Sequence, residues 1–235
     1  MRTVVIMQPT YLPWMGYFDL MDQSDYFVFL DSIQFEKRSW QQRNKIKSSE
    51  GELLLSVPVL SKGKFTQKIN KVKINKSASF PKDHLKAIKY NYSRAKYFKK
   101  IFPGLEKILD KNFDFLVDLN IELIIWLKNL LGITTKLKRS SLLRVGGKKA
   151  DLLISICKAL KANAYLSPIG SKDYLKDGKL FKTNKISLFY QQFNHPQYHQ
   201  LYDTFMPYLS IIDLLLNEGE KSLSIIQSGR KESSK

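Results

Sequence analysis

Four stretches of this chain gather side chains that could do chemistry. The first, Gln8-Pro-Thr-Tyr-Leu-Pro-Trp-Met-Gly-Tyr-Phe18, crowds prolines, a glycine and large aromatics into what reads as a strand-to-helix turn. Prolines stiffen such a turn, Gly16 would let a ligand or a second backbone come close, and the unpaired N–H groups of the helix start would favour an anion. Tyr11, Trp14 and Tyr17 could stack on a base or a sugar beside Gln8, or could instead glue the helix to a sheet. In the second stretch Asp31, with Gln34 close behind, could accept sugar or ribose hydroxyls or orient a base; capping a strand end is its other use. In the third, Arg43 offers a planar fork and Lys45 a point charge to a diphosphate, with Asn44 between them. The fourth is late in the chain. Ser167 and Gly170 could form an anion-binding turn capped by Tyr174, or a plain connection, and His195 could serve as a base near neutral pH or bond locally ahead of Pro196.

Other chemistries find little support. His195 and His199 stand four apart, but Pro196 breaks the helical face a metal pair would need, and the single cysteine adds no cluster, so no metal site is expected. Cys157 lies on an apolar helical stripe and reads as a core residue. There is no Gly-x-Ser-x-Gly elbow and no Walker-type phosphate loop.

The elements that must position these groups follow from hydrophobic periodicity. Residues 3–7 read as a buried strand, 14–21 as a helix and 26–30 as a second strand, a βαβ unit that places Gln8 and Asp31 at carboxyl ends of parallel strands. Trp14 and Asp31 should then face one open cavity. Residues 34–47 lack a clean period and read as a functional loop; 53–59 and 67–74 read as strands around a turn at Ser61-Lys-Gly-Lys. Helices are expected near 81–93, 97–109 and 113–131, the last closed by Gly132. A strand near 135–137, a helix over 148–161, strands at 162–166 and 186–190, and helices at 208–217 and 218–226 complete the pattern. The expected fold is α/β: one domain over 1–228 with a mostly parallel, Rossmann-like sheet, flanking helices and a helical insertion at about 78–133, then a flexible tail over 229–235.

Composition bounds the partners. The 235 residues carry 39 basic and 21 acidic side chains, a formal charge of +18 that should attract phosphorylated small molecules, nucleic acid or anionic headgroups. Only seven of the cations are Arg, and the scattered Lys excess equally suits a solvated surface. The segment Lys86–Lys100, with Tyr90, Tyr92, Tyr97 and Phe98, could bind RNA, but a solvated helical face with inward rings is favoured. Phe115 to Leu131 is interrupted by Asp118, Glu122 and Lys128, so no transmembrane segment is expected. No secretion signal is read at the start, and one cysteine suits a reducing compartment; a cytoplasmic location is expected.

Two resemblances sharpen this. Pro9-Thr10 followed by Trp14-Met15-Gly16-Tyr17 resembles the opening of the nucleotidylyltransferase group, such as pantothenate synthetase, where a His-x-Gly-His motif holds ATP phosphates; here the glycine is kept and both histidines are replaced. A closer resemblance, to the WbqC-like family of surface-polysaccharide gene clusters, runs through Gln8 to Phe18, Asp31-Ser-Ile-Gln-Phe35, Arg43-Asn-Lys-Ile-Lys47, Val57-Pro58, Ala164-Tyr-Leu-Ser167, Gly170 with Tyr174-Leu175, Phe193-x-His195-Pro-x-Tyr198-x-Gln200 and Ser210-Ile-Ile-Asp-Leu-Leu215. The family usually carries His before the opening Gln-Pro, and this chain has Met7. What this resemblance implies is a transferase of an acyl or aminoacyl group, glycine among them, acting on a nucleotide-linked or glycan sugar, with a nucleotide or nucleotide sugar as ligand. The other readings are a nucleotidylyltransferase-like enzyme and a non-catalytic RNA-binding or assembly protein.

Overall fold

The computed structural model describes residues 1–171 and 178–231. The β-branched opening run forms β1, Thr3–Met7; the chain turns through Pro13 into α1, Met15–Asp22, and returns as β2, Tyr26–Phe29, parallel to β1 with Val4 opposite Tyr26. A hairpin follows, β3 (Arg43–Ser48) and β4 (Gly51–Ser56), then three helices, α2 (Lys82–Tyr92), α3 (Phe98–Leu109) and α4 (Leu116–Leu130). The remaining elements are β5 (Lys136–Arg139), α5 (Ala150–Ala159), β6 (Ala164–Ser167), α6 (Gly178–Thr183), β7 (Ser187–Tyr190), α7 (Ile211–Glu218) and α8 (Ser222–Ser228).

Five strands form one parallel sheet in the order β5-β2-β1-β6-β7. Counted along the chain, the order of these five is third, second, first, fourth, fifth, the Rossmann-like α/β arrangement. Both faces are covered at the centre of the sheet, which is why β1, β2 and β6 read as apolar runs. Val4, Ile6 and Val28 point to one side, where Leu153, Ile156 and Cys157 of α5 and Phe181 of α6 meet them. Val5, Phe27 and Phe29 point to the other, against Tyr17, Phe18 and Met21 of α1 and a cluster that continues through α2, α3, α4 and α7. The helical stretch thus shares one hydrophobic cluster with the sheet, each buried large side chain contributing roughly 1.5–3 kcal/mol. Gly132, at a φ of +73°, stops α4 as the sequence suggests, with its own N–H and that of Ile133 bonded to the last carbonyls of the helix.

Three segments differ from expectation. The second half of the supposed loop 34–47 is strand β3, paired with β4 from Arg43 opposite Ser56 to Ser48 opposite Gly51. Its period is hidden because Asn44 and Lys47, polar by type, are buried alongside Ile46 and find partners inside. Residues 67–74 form no strand. Ile69, Val72 and Ile74 bury around a single 3-10 turn, Ile69–Lys71, and pairing is limited to isolated bridges to residues 34, 59 and 115. The start of the expected tail also belongs to the fold, since Arg230 bridges to Phe193 and its guanidinium meets Asp19 at 2.7 Å, a carboxylate with no exposure of its own. Among the described residues no helix is long and apolar enough to cross a membrane.

Candidate functional site

Parallel pairing sends the exits of all five strands to one edge: Gln8 after β1, Asp31 after β2, Ser140 after β5, Ser167 ending β6 and Gln191 after β7. The crossovers diverge between β1 and β6, and in open parallel sheets that divergence opens the crevice where ligands bind.

Gln8 lies at this divergence, half-buried. Its Oε1 accepts from Gln41 Nε2 at 2.8 Å and its carbonyl accepts from Tyr17 Oη at 3.1 Å. Gln41 is held in turn by Asn120, a fully buried amide on the apolar face of α4 that donates to the carbonyls of Gln41 (2.7 Å) and Pro9 (3.1 Å). Asn120 Oδ1 is buried with no partner, and so are Asn70 Oδ1 and Gln67 Nε2. Asn70 and Gln67 sit against the exit of β2, because the Asn70 N–H donates to the Asp31 carbonyl and the Gln67 carbonyl accepts from Phe35. A buried polar atom left without a partner costs about 1–3 kcal/mol, and three such atoms lie near the exits of β1 and β2.

Asp31 is not open to a substrate hydroxyl. Its carboxylate, fully buried, accepts from Arg139 Nε (2.8 Å), Ser140 Oγ (3.0 Å), the Ser141 N–H (2.9 Å) and Ser141 Oγ (2.8 Å). Burial pushes its pKa up, but the Ser141 N–H, the Arg139 guanidinium and the Ser141 hydroxyl together hold it below the ordinary value. Arg139 reaches on to Asp118 at 3.1 Å. With Lys138 it forms the cationic rim of an open cavity of about 440 Å³ whose walls include Phe29, Ile121, Ile125, Leu137 and Leu142.

Trp14 stands elsewhere. Its ring lies edge-on to Phe193 (5.8 Å), parallel to His195 (6.2 Å) and tilted on Tyr208 (5.5 Å). None of the groups around Asp31 touches this cluster, so the two do not share a cavity. The reason is the reach of the late chain: residues 193–210 fold back over the start of α1, while 139–141 close over Asp31. The structure does bring Trp14 and His195 together. His195 Nδ1 donates to the Pro196 carbonyl (2.9 Å) and Nε2 accepts from the Tyr208 N–H (3.1 Å), so its lone pair is occupied, and burial lowers its pKa despite the Pro196 bond.

The remaining sequence candidates divide cleanly. Tyr11 and Tyr17 are core residues with no or almost no exposure, and burial raises both phenols far above their ordinary value. Gly16 serves Trp14 rather than a ligand, for a Cβ there would lie 2.2 Å from the indole. Asn44 ties the Tyr11 and Leu12 carbonyls (3.2 and 2.7 Å), and Lys45 pairs with Glu52. Arg43 remains available: its Nε is buried without a partner and its guanidinium lies 5.9 Å from the Trp40 ring centre. Gln34 is exposed and donates to the Phe65 carbonyl at 2.8 Å. Ser167 is buried and shares its hydroxyl with Tyr165 and Ser171, Gly170 lies in a 3-10 turn, and Tyr174 lies outside the described residues. Cys157 is fully buried, its thiol pushed up to about 12 by burial.

Gln41, Gln67, Asn70, Asn120 and Arg139 were not read from the sequence. Asn120 left a trace, an amide among the apolar residues Leu116, Val117, Leu119, Leu123 and Leu127 of one helix; the others lie in loops and edges without period. A second missed group centres on a buried carboxylate. Asp213 accepts from Tyr92 (2.8 Å), Tyr198 (2.7 Å) and Gln200 (2.9 Å), and Lys47 donates to Gln200 and to the Tyr202 carbonyl. Lys47, Tyr198, Gln200 and Asp213 come from three separate stretches of the family pattern, and the fold gathers them into one network.

No solved structure matches this chain. A relative from Mycobacterium tuberculosis, the uncharacterized protein Rv1507c, is 35% identical over 224 residues, covering 94% of this chain and 96% of that one. The model of the WbqC-like protein family matches residues 8–225, from the glutamine at the exit of β1 to within α8, so the chain belongs to the WbqC-like protein family.

Proposed function

We propose that the chain binds a phosphorylated, nucleotide-linked sugar at the carboxyl edge of its parallel sheet and transfers a small acyl or aminoacyl group in surface-polysaccharide synthesis. The observation that carries the binding half is the set of unpartnered amide atoms on Gln67, Asn70 and Asn120 beside Gln8 and Gln41. Amides both donate and accept, as hydroxyl and acetamido groups of a sugar require. The 440 Å³ cavity rimmed by Lys138 and Arg139 adjoins the β2 and β5 exits, has the size of a small-ligand site, and offers the Lys138 ammonium to a phosphate, Arg139 being held by Asp31 and Asp118. The transfer half rests on the resemblance to the family. In it the carbonyl carbon of the donor bonds to a nitrogen or oxygen of the sugar, the acceptor proton leaves to a base, and the donor's leaving group departs.

The test is a thermal-shift and calorimetric titration with a panel of nucleoside diphosphate sugars. At least one should raise the melting temperature, and Asn70→Ala and Gln67→Ala should abolish that rise while leaving the unliganded melting temperature nearly unchanged, since neither side chain makes a hydrogen bond among the described residues. A panel without response would overturn the proposal.

A further inference from the structure

The loop after β2 and the loop before the Ile69–Lys71 turn are joined into one ledge. Gln34 bridges to Lys68, the Phe35 N–H donates to the Gln67 carbonyl, the Ile69 N–H donates to the Ile33 carbonyl, and Gln34 Nε2 donates to the Phe65 carbonyl. Two large rings stand in the open on this ledge, Trp40 at 50% exposure and Phe65 at 79%. Cations neighbour them in the sequence, Lys37 and Arg38 before Trp40 with Arg43 opening β3 at 5.9 Å from the Trp40 ring centre, and Lys62, Lys64 and Lys68 around Phe65, and none of the six has an ion-pair partner among the described residues. Glu36 is the one acid over 34–43 and 61–73.

Exposed rings cost hydration free energy and unpaired cations repel one another, so both are offset by a partner that is anionic and flat-faced. A small nucleotide would sit in a concave site that encloses its base. Rings left this open, with cations spread over two loops, suit successive bases and phosphates of a flexible strand. Beside Phe65 the exposed Thr66 offers a hydroxyl to a 2′-hydroxyl, the group that separates RNA from DNA. We infer that this ledge binds single-stranded RNA, with bases stacking on Trp40 and Phe65 and phosphates on the surrounding cations. The inference is independent of the nucleotide-sugar reading.

Fluorescence anisotropy of the full chain with a labelled twelve-nucleotide RNA tests it. Affinity should fall with salt with a log–log slope of about −2 to −4, as release from three to six phosphates of a single strand requires. Trp40→Ala and Phe65→Ala should each weaken binding about fivefold or more. Lys62→Glu with Lys64→Glu should weaken it far more than Lys179→Glu with Lys182→Glu, the same charge change on α6. Asn70→Ala, which should abolish the sugar-nucleotide response, should leave RNA binding intact. The inference is overturned by no binding at low salt, by equal affinity for duplex or for single-stranded DNA of the same sequence, by insensitivity to the two ring variants, or by equal effects of the two lysine pairs.

Discussion

Asp31 shows how residue type and local chemistry part company. A carboxylate at the end of a parallel strand is a common ligand group, yet here four donors saturate it, and it organises residues 139–141 instead. Asp31→Ala should therefore destabilise the protein by about 2–3 kcal/mol in urea unfolding, by stranding those donors. A variant as stable as the parent would show that Asp31 is free for substrate. Because the folded carboxyl is held below its unfolded value, its stabilisation is complete at neutral pH and is lost as pH falls below the ordinary 3.8. Gly16→Ala addresses the other early candidate. The added methyl must displace the Trp14 ring, costing about 1–3 kcal/mol and shifting tryptophan emission; unchanged emission would contradict the packing of that ring on the helix.

Elements are held by a few buried polar residues at their junctions. His84 on α2 accepts from Tyr11 Oη at Nδ1 (2.8 Å) and donates from Nε2 to the Ser56 carbonyl of β4 (3.2 Å), fastening the helix to both the opening turn and the hairpin. Burial outweighs the Ser56 bond and lowers its pKa from 6.5 to about 4, so it stays neutral in the fold while the unfolded chain protonates. The unfolded state then binds more protons across that interval, and stability should fall as pH drops from 6.5 towards 4, by up to about 3 kcal/mol. Urea midpoints at pH 7 and 5 check this, and His84→Gln should flatten the slope; an equally steep slope in that variant would assign the effect to other groups. Asp213 ties α7 to α2 and to the 198–200 segment, and Asp213→Ala should cost about 2–4 kcal/mol in the same assay by leaving the O–H donors of two buried phenols unpaired.

At the scale of the molecule, the hydrophobic pattern made the sheet legible. Runs such as Thr3–Met7 and Ala164–Ser167 are buried on both faces, and the apolar stripes of α4 and α5 have the helical period that packing demands. What stayed hidden was pairing between polar residues distant in the chain. Nothing in Asn44 or Lys47 announces a strand, and nothing in Gln41 announces a bond to Gln8, because the partners that make those placements affordable are set by the tertiary fold. Aromatic and acidic residues read as functional by type, but Tyr11, Tyr17 and Asp31 are consumed internally, whereas the amides of Gln67, Asn70 and Asn120 keep buried atoms without a hydrogen-bond partner among the described residues. The proposed site follows from what remains unpaired at the carboxyl edge of the sheet.

Hydrogen exchange with and without a responding nucleotide sugar measures this most directly. Protection should concentrate at residues 8–9, 41, 67–70 and 139–141 around the exits of β1, β2 and β5. Protection confined to the Trp14, His195 and Tyr208 cluster, with those segments unchanged, would contradict the account.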